Sequence, residues 1–225
     1  MAAIRGIQLS KSYHHYLVLK EISFEVAGGS CYVLIGQNGA GKTTLLRILA
    51  TLQRPSSGRF EIMGHDGMEE KSKVREILIF LAHGSHLYDE LNAEENIRFA
   101  MGLWGMRPTD KDIKIALDRV GIGAFKDLKT RYFSMGMKKR LAIAKAILIR
   151  PKVLLLDEPY SSLDEGGMAM VNSYIREVTR QGASVLLTTH NRVKSAEVAH
   201  RAGVLVRGEL KEISLKDLTV ADENA

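Results

Sequence analysis

Three groups of residues in this chain combine types and spacings that could handle a polyphosphate. The first, Gly36-Gln37-Asn38-Gly39-Ala40-Gly41-Lys42-Thr43-Thr44, reads G-x-x-x-x-G-K-T and follows the apolar run Cys31 to Ile35. Gly36, Gly39 and Gly41 lack a Cβ, so the loop can adopt backbone angles closed to other residues. It can then turn the N–H groups of Asn38, Ala40 and the residues through Thr44 inward on an anion. A helix beginning at Thr43 points its partial positive charge at the same place. Lys42 adds a full charge near the β- and γ-phosphates, and the Thr43 hydroxyl is placed to ligate Mg²⁺.

The second group is Val153-Leu154-Leu155-Leu156-Asp157-Glu158-Pro159, a continuous apolar run ending on two acids. Such a run suits a central parallel strand buried on both faces, and ligand groups gather at the carboxyl ends of such strands. Asp157 there can hold Mg²⁺ opposite Thr43, and Glu158 can orient and deprotonate an attacking water. The third group is a similar strand, Ser184 to Thr189, ending on His190. That position, beside the inferred phosphate site, gives His190 a γ-phosphate contact rather than the structural role usual for a lone histidine.

These groups require an α/β fold of the P-loop type to position them. Ile4 to Leu9 and Val18 to Val26 alternate loosely and predict short strands of an antiparallel β lobe. Arg75 to Ala82 predicts a buried strand, and the three-and-four apolar spacing over 92–149 predicts a helical subdomain punctuated by Pro108, Gly121 and Gly123. Val193 to Ala199 reads as a helix and Gly203 to Val206 and Glu209 to Ile213 as closing strands. The polar tail from Val220 is expected to fray. The 225 residues suffice for one large α/β domain spanning 1–225.

Composition narrows the setting. No apolar run approaches the roughly 18 residues needed to span a bilayer, and no secretory signal is visible at the start. The single cysteine, Cys31, cannot form an internal disulfide, which favours the cytoplasm. The net charge of +6 and pI near 9.4 are compatible with an anionic membrane surface or simple solvation. Basic and aromatic residues are not interleaved as single-strand binding would need, so no nucleic-acid partner is expected.

The chain resembles the nucleotide-binding subunits of ATP-binding-cassette proteins from about Ile4 to Ile213. The diagnostic stretch is Phe133-Ser134-Met135-Gly136-Met137-Lys138-Lys139-Arg140-Leu141, similar to that family's signature motif. Ser162-Leu163-Asp164 resembles its D-loop, His190 its switch histidine, and Tyr13 the aromatic that stacks on adenine. The resemblance implies ATP and Mg²⁺ as ligands and a dimer of two such subunits, with Ser134 and Gly136 reaching the γ-phosphate held by the partner. It also implies integral membrane permease subunits, which place the chain at the cytoplasmic face of the membrane. Met135 and Met137 stand where the family usually has glycine and glutamine. His83 stands where its metal-contacting glutamine would align, so His83 inherits that expectation. The stretch from His83 to Phe99, continued by Leu103-Trp104-Gly105, is similar to the heme-exporter ATPases of bacterial cytochrome c maturation. Multidrug, lipid and polysaccharide exporters use closely similar cassettes, as do non-transport ATPases of the superfamily.

Overall fold

The computed structural model describes residues 1–82 and 87–219. His83 and the tail from Val220 therefore lie outside the described residues. The chain opens with β1 (Ala2–Tyr13) and β2 (Tyr16–Ala27), then β3 (Cys31–Ile35) leads through the glycine-rich loop into α1 (Lys42–Leu49). Next come β4 (Ser57–Ile62), β5 (His65–Asp66), α2 (Lys71–Ile77) and β6 (Leu78–Leu81). The helices α3 (Ala93–Leu103), α4 (Asp110–Arg119) and α5 (Met135–Ile149) follow. Strands and helices then alternate as β7 (Val153–Asp157), α6 (Glu165–Arg180), β8 (Ser184–Thr189) and α7 (Arg192–Ala196). The strands β9 (Arg201–Val206) and β10 (Glu209–Ile213) precede α8 (Leu215–Thr219).

Two sheets form among the described residues. One is antiparallel in the order β2-β1-β4-β5; the other runs β10-β9-β3-β8-β7-β6, parallel throughout except at β10. The parallel sheet is covered on both faces, and side chains on successive residues point to opposite faces. Thus Cys31, Val33, Ile35, Leu154, Leu156, Val185 and Leu187 join one core with helices α3 to α6. Tyr32, Leu34, Val153, Leu155 and Leu186 join the other, with α1 and the antiparallel lobe. That two-sided burial is why these strands read as unbroken apolar runs.

The first two strands are longer than expected, 12 residues each, because pairing continues past several bulges up to Tyr13↔Tyr16. The strand expected over Arg75 to Ala82 begins only at Leu78. Arg75 to Ile77 instead close α2, where Val74 is buried while Lys73, Arg75 and Glu76 are exposed. Its Arg75 Nε donates to Thr51 Oγ1 at 2.8 Å, a tether that an apolar-run reading does not reveal. The segment over 92–149 is helical as expected; Pro108 and Gly121 fall between helices, and Gly123 begins a short 3-10 turn (Gly123–Phe125). Capping boxes at Asn92 with Glu95 and at Thr109 with Asp112 begin α3 and α4.

Leu155 is fully buried in the central strand β7. Leu155→Ala should lower unfolding free energy by about 2–5 kcal/mol, the range for a buried leucine truncated to leave a cavity. Urea denaturation followed by circular dichroism measures this.

Candidate functional site

Strand β3 delivers the chain to the glycine loop, and the loop's shape explains which residues lack a Cβ. Gly41 has φ 107° and caps α1 in the left-handed region; a Cβ there would lie 2.8 Å from Leu19 Cδ2. A Cβ on Gly36 would lie 2.6 Å from the Leu205 carbonyl oxygen. Lys42 is 6% exposed, and its Nζ donates to the carbonyls of Gly36 (2.6 Å) and Gln37 (3.1 Å). The same ammonium lies 3.7 Å from Glu158 Oε1. A buried cation is thus ringed by oxygens at the N-terminus of a helix, where an anion is favoured.

The parallel register brings the strand ends to this loop, since Asp157 of β7 aligns with Thr188 of β8 and Ile35 of β3 with Thr189. Asp157 is buried, and each of its oxygens accepts one hydroxyl hydrogen bond. Thr43 Oγ1 donates to Oδ2 at 2.8 Å and Thr188 Oγ1 to Oδ1 at 2.8 Å. Glu158, the next residue, has φ 49°, an uncommon conformation for a residue with a Cβ. Its N–H donates to the Thr188 carbonyl at 2.9 Å. Glu158 Oε2 accepts from Thr189 Oγ1 (3.2 Å) and the His190 N–H (3.3 Å) and lies 2.9 Å from His190 Nδ1. Oε1 is buried and has no hydrogen-bond partner among the described residues.

A cleft of about 600 Å³ opens over these groups, walled by Val18, Asn38, Gly39, Gly41, Lys42, Thr43, Thr44, Asp157, Glu158 and His190, among others. ATP fits this wall: the loop has no room for Cβ atoms at Gly36 and Gly41, and the Lys42 ammonium lies 3.7 Å from Glu158 Oε1, which accepts no hydrogen bond among the described residues. Mg²⁺ fits the paired oxygens of Thr43 and Asp157, hard donors of the kind that cation prefers.

Other expected residues lie apart from the cleft. Ser134 is exposed and caps α5 by accepting from the Met137 N–H at 3.2 Å. Gly136 packs so tightly on the Ser162 carbonyl that a Cβ would lie 2.6 Å from its oxygen. Neither lines the cleft wall, and nor does Tyr13, which is 40% exposed with its hydroxyl accepting from Gln53 Nε2. The expectation for His83 falls outside the described residues.

Two polar groupings escaped the motif reading. The hydroxyls of Thr188 and Thr189 orient both carboxylates, and only strand register tells them from other strand threonines. Asn172, fully buried on α6, accepts from Tyr160 Oη at 2.6 Å and donates to the Lys194 carbonyl at 2.9 Å. It also donates to Glu197 Oε2 at 3.0 Å, which ties the turn after Glu158 to helix α7 beyond His190.

A family model described as "ABC transporter" matches residues 19–161. The chain belongs to this family. A cytochrome c biogenesis ATP-binding export protein, CcmA of Pseudomonas putida, is 33% identical over 82% of this chain and 88% of its own length. YdbJ of Bacillus subtilis, an uncharacterised ABC transporter ATP-binding protein, is 34% identical over 96% of this chain and 71% of its own. YbhF of Escherichia coli, a probable multidrug ABC transporter ATP-binding protein, is 32% identical over 92% of this chain but only 36% of its own. Among solved structures, an ATP-binding subunit of an ABC transporter superposes with a TM-score of 0.87 at 26% identity, covering 96% of this chain and 91% of its own. The cbiO1 subunit of the Clostridium perfringens cbiONQ complex gives 0.80 at 26%, covering 96% and 90%. The fold is that of an ABC ATPase, and the chain is an ATP-binding subunit of an ABC transporter. No helix among the described residues is long and apolar enough to cross a membrane.

Thr188→Val keeps the side-chain shape but leaves the buried Asp157 Oδ1 without its donor. The cost should be about 1–3 kcal/mol of stability, the usual penalty for an orphaned buried acceptor. Guanidinium denaturation of the two proteins compares them.

Proposed function

We propose that this chain is the ATP-hydrolysing engine of an export complex, forming one nucleotide-binding domain over 1–225. The observation that carries the reading is the convergence of Lys42, Thr43, Asp157, Glu158 and His190 at adjoining strand ends, with Thr43 and Asp157 2.8 Å apart. Thr43 and Asp157 would hold Mg²⁺, which supplies charge neutralisation on the phosphate oxygens when bound. The backbone N–H groups from Asn38 through Thr44 and the Lys42 ammonium bind the polyphosphate. Tyr13, on the hairpin whose Val18 walls the cleft, stacks on the base.

Glu158 orients a water and takes its proton as the water oxygen attacks the γ-phosphorus. The bond from that phosphorus to the bridging oxygen breaks, leaving ADP and phosphate. His190, beside Glu158 Oε2, contacts the γ-phosphate. Ser134 and Gly136 sit away from this cleft, so they serve the nucleotide of a second subunit in an ATP-held dimer. That pair docks on integral membrane permease subunits at the cytoplasmic face.

The cargo reading is heme export for cytochrome c maturation. It is supported by the similarity to CcmA, 33% identical over 82% of this chain. A second reading, a multidrug-type exporter, draws support from the likeness to YbhF over 92% of this chain.

Glu158→Gln should leave ATP binding intact and reduce turnover by roughly 10²–10⁴-fold, the usual worth of a general base. Steady-state ATPase assays with the membrane partner present measure this, and unchanged turnover would remove Glu158 from its role. For the cargo, deletion of the gene in a host with no second copy should abolish covalent heme staining of c-type cytochromes. Normal staining there would favour the multidrug reading.

A further inference from the structure

Helix α5 is capped by Ser134 and carries Gly136 in its first turn, followed by three consecutive cations, Lys138, Lys139 and Arg140. The outer two are paired with carboxylates: Lys138 Nζ reaches Asp89 Oδ1 at 2.8 Å, and Arg140 Nη2 reaches Asp164 Oδ1 at 2.8 Å. Lys139 differs from both. Its Nζ donates to the carbonyl oxygen of Glu158 at 2.5 Å and to Ser161 Oγ. It lines a small cavity of about 40 Å³ with Ile143, Leu156, Val171 and Tyr174. Burial there pulls its pKa down to about 8 against the favourable pull of Glu158 and Asp157.

An ammonium half-buried against neutral oxygens costs stability compared with an apolar residue of similar size. Its geometry shows what it does. Glu158 sits at φ 49°, and the peptide on its N-terminal side is fixed by the 2.9 Å bond from its N–H to Thr188. The peptide on its C-terminal side is fixed by the charged donor Lys139, reinforced by Ser161 Oγ at 3.0 Å. With both flanking planes held, φ and ψ of Glu158 are set, and with them the direction in which its side chain leaves the backbone toward Thr189 and His190, which hold Oε2. Charge-assisted hydrogen bonds are the stronger kind, so Lys139 is the firmer of the two clamps.

We infer that Lys139 is a positioning residue for Glu158, and that it couples the signature end of α5 to the catalytic turn of the same chain. The coupling deepens the proposed function and rests on its two-subunit arrangement. Lys139 lies five positions after Ser134, about 7.5 Å of helix rise, so movement at the helix start is felt directly at the Glu158 carbonyl. Docking of Ser134 and Gly136 on one nucleotide thereby settles the base that acts on the other.

Lys139→Met, Lys139→Arg and Glu158→Gln, alone and combined, test this in the full-length chain assembled with its membrane partner, with MgATP as the probe. Lys139→Met removes a half-buried charge, so its melting temperature should match or exceed the wild type. Its kcat should nevertheless fall roughly 10–100-fold, the scale of a misplaced catalytic group, while ATP affinity changes less than about two-fold. Lys139→Arg should recover most of the rate. In the Glu158→Gln background Lys139→Met should cause no further loss, because it acts through the group already disabled. Wild-type kcat in Lys139→Met, or an equal loss in both backgrounds, overturns the inference while leaving the ATPase reading intact. Absence of ATP turnover in the wild type overturns both.

Discussion

Buried parallel pairing of β3, β8 and β7 is the constraint from which the rest of the site follows. Strands covered on both faces must be apolar along their length, so the polar side chains that do chemistry can stand only where they end. Asp157, Glu158, Thr188 and Thr189 all lie within two residues of such an end. The register of β7 against β8 sets Asp157 against Thr188, and the loop after β3 brings the Thr43 hydroxyl to the same carboxylate. A shift of one residue in either pairing would turn these groups into the opposite core.

Such a site carries local costs that the surrounding packing must offset. Glu158 holds a left-handed backbone, its Oε1 has no hydrogen-bond partner among the described residues, and Lys42 is nearly enclosed. The left-handed backbone alone costs on the order of 1–3 kcal/mol. The residues that keep the geometry are not themselves reactive: the two threonines of β8 and the buried Asn172, whose bonds span from Tyr160 to helix α7. Gly136 is constrained from within its own chain as well, by the Ser162 carbonyl packed against it.

Much of this was legible in the sequence, for reasons that differ by element. The core strands were plain because two-sided burial leaves an unbroken apolar run, as in Cys31 to Ile35 and Val153 to Leu156. The glycine loop was plain because its spacing has few other uses. Strand ends and lengths were harder. The boundary at Leu78 depends on Arg75 reaching Thr51, a contact 24 residues distant in the chain, and the reach of β1 and β2 depends on pairing across bulges. Thr188, Asn172 and Lys139 were invisible for a related reason. A threonine on a strand, an asparagine on a helix and the middle lysine of a cationic run are ordinary locally; only tertiary contacts distinguish them.

The alternation of side chains along β3, β7 and β8 has a mechanical consequence. One and the same set of strands walls both cores, with Val33 and Leu34 on opposite sides of a single backbone. The antiparallel lobe and the helical segment therefore share a partition rather than abutting as separate bodies. Neither core can melt while the other keeps its strands in place, so the backbone amides of 31–35 and 184–189 should exchange with solvent only through the global opening event. The floor of the cleft is thus the last part of the molecule to loosen.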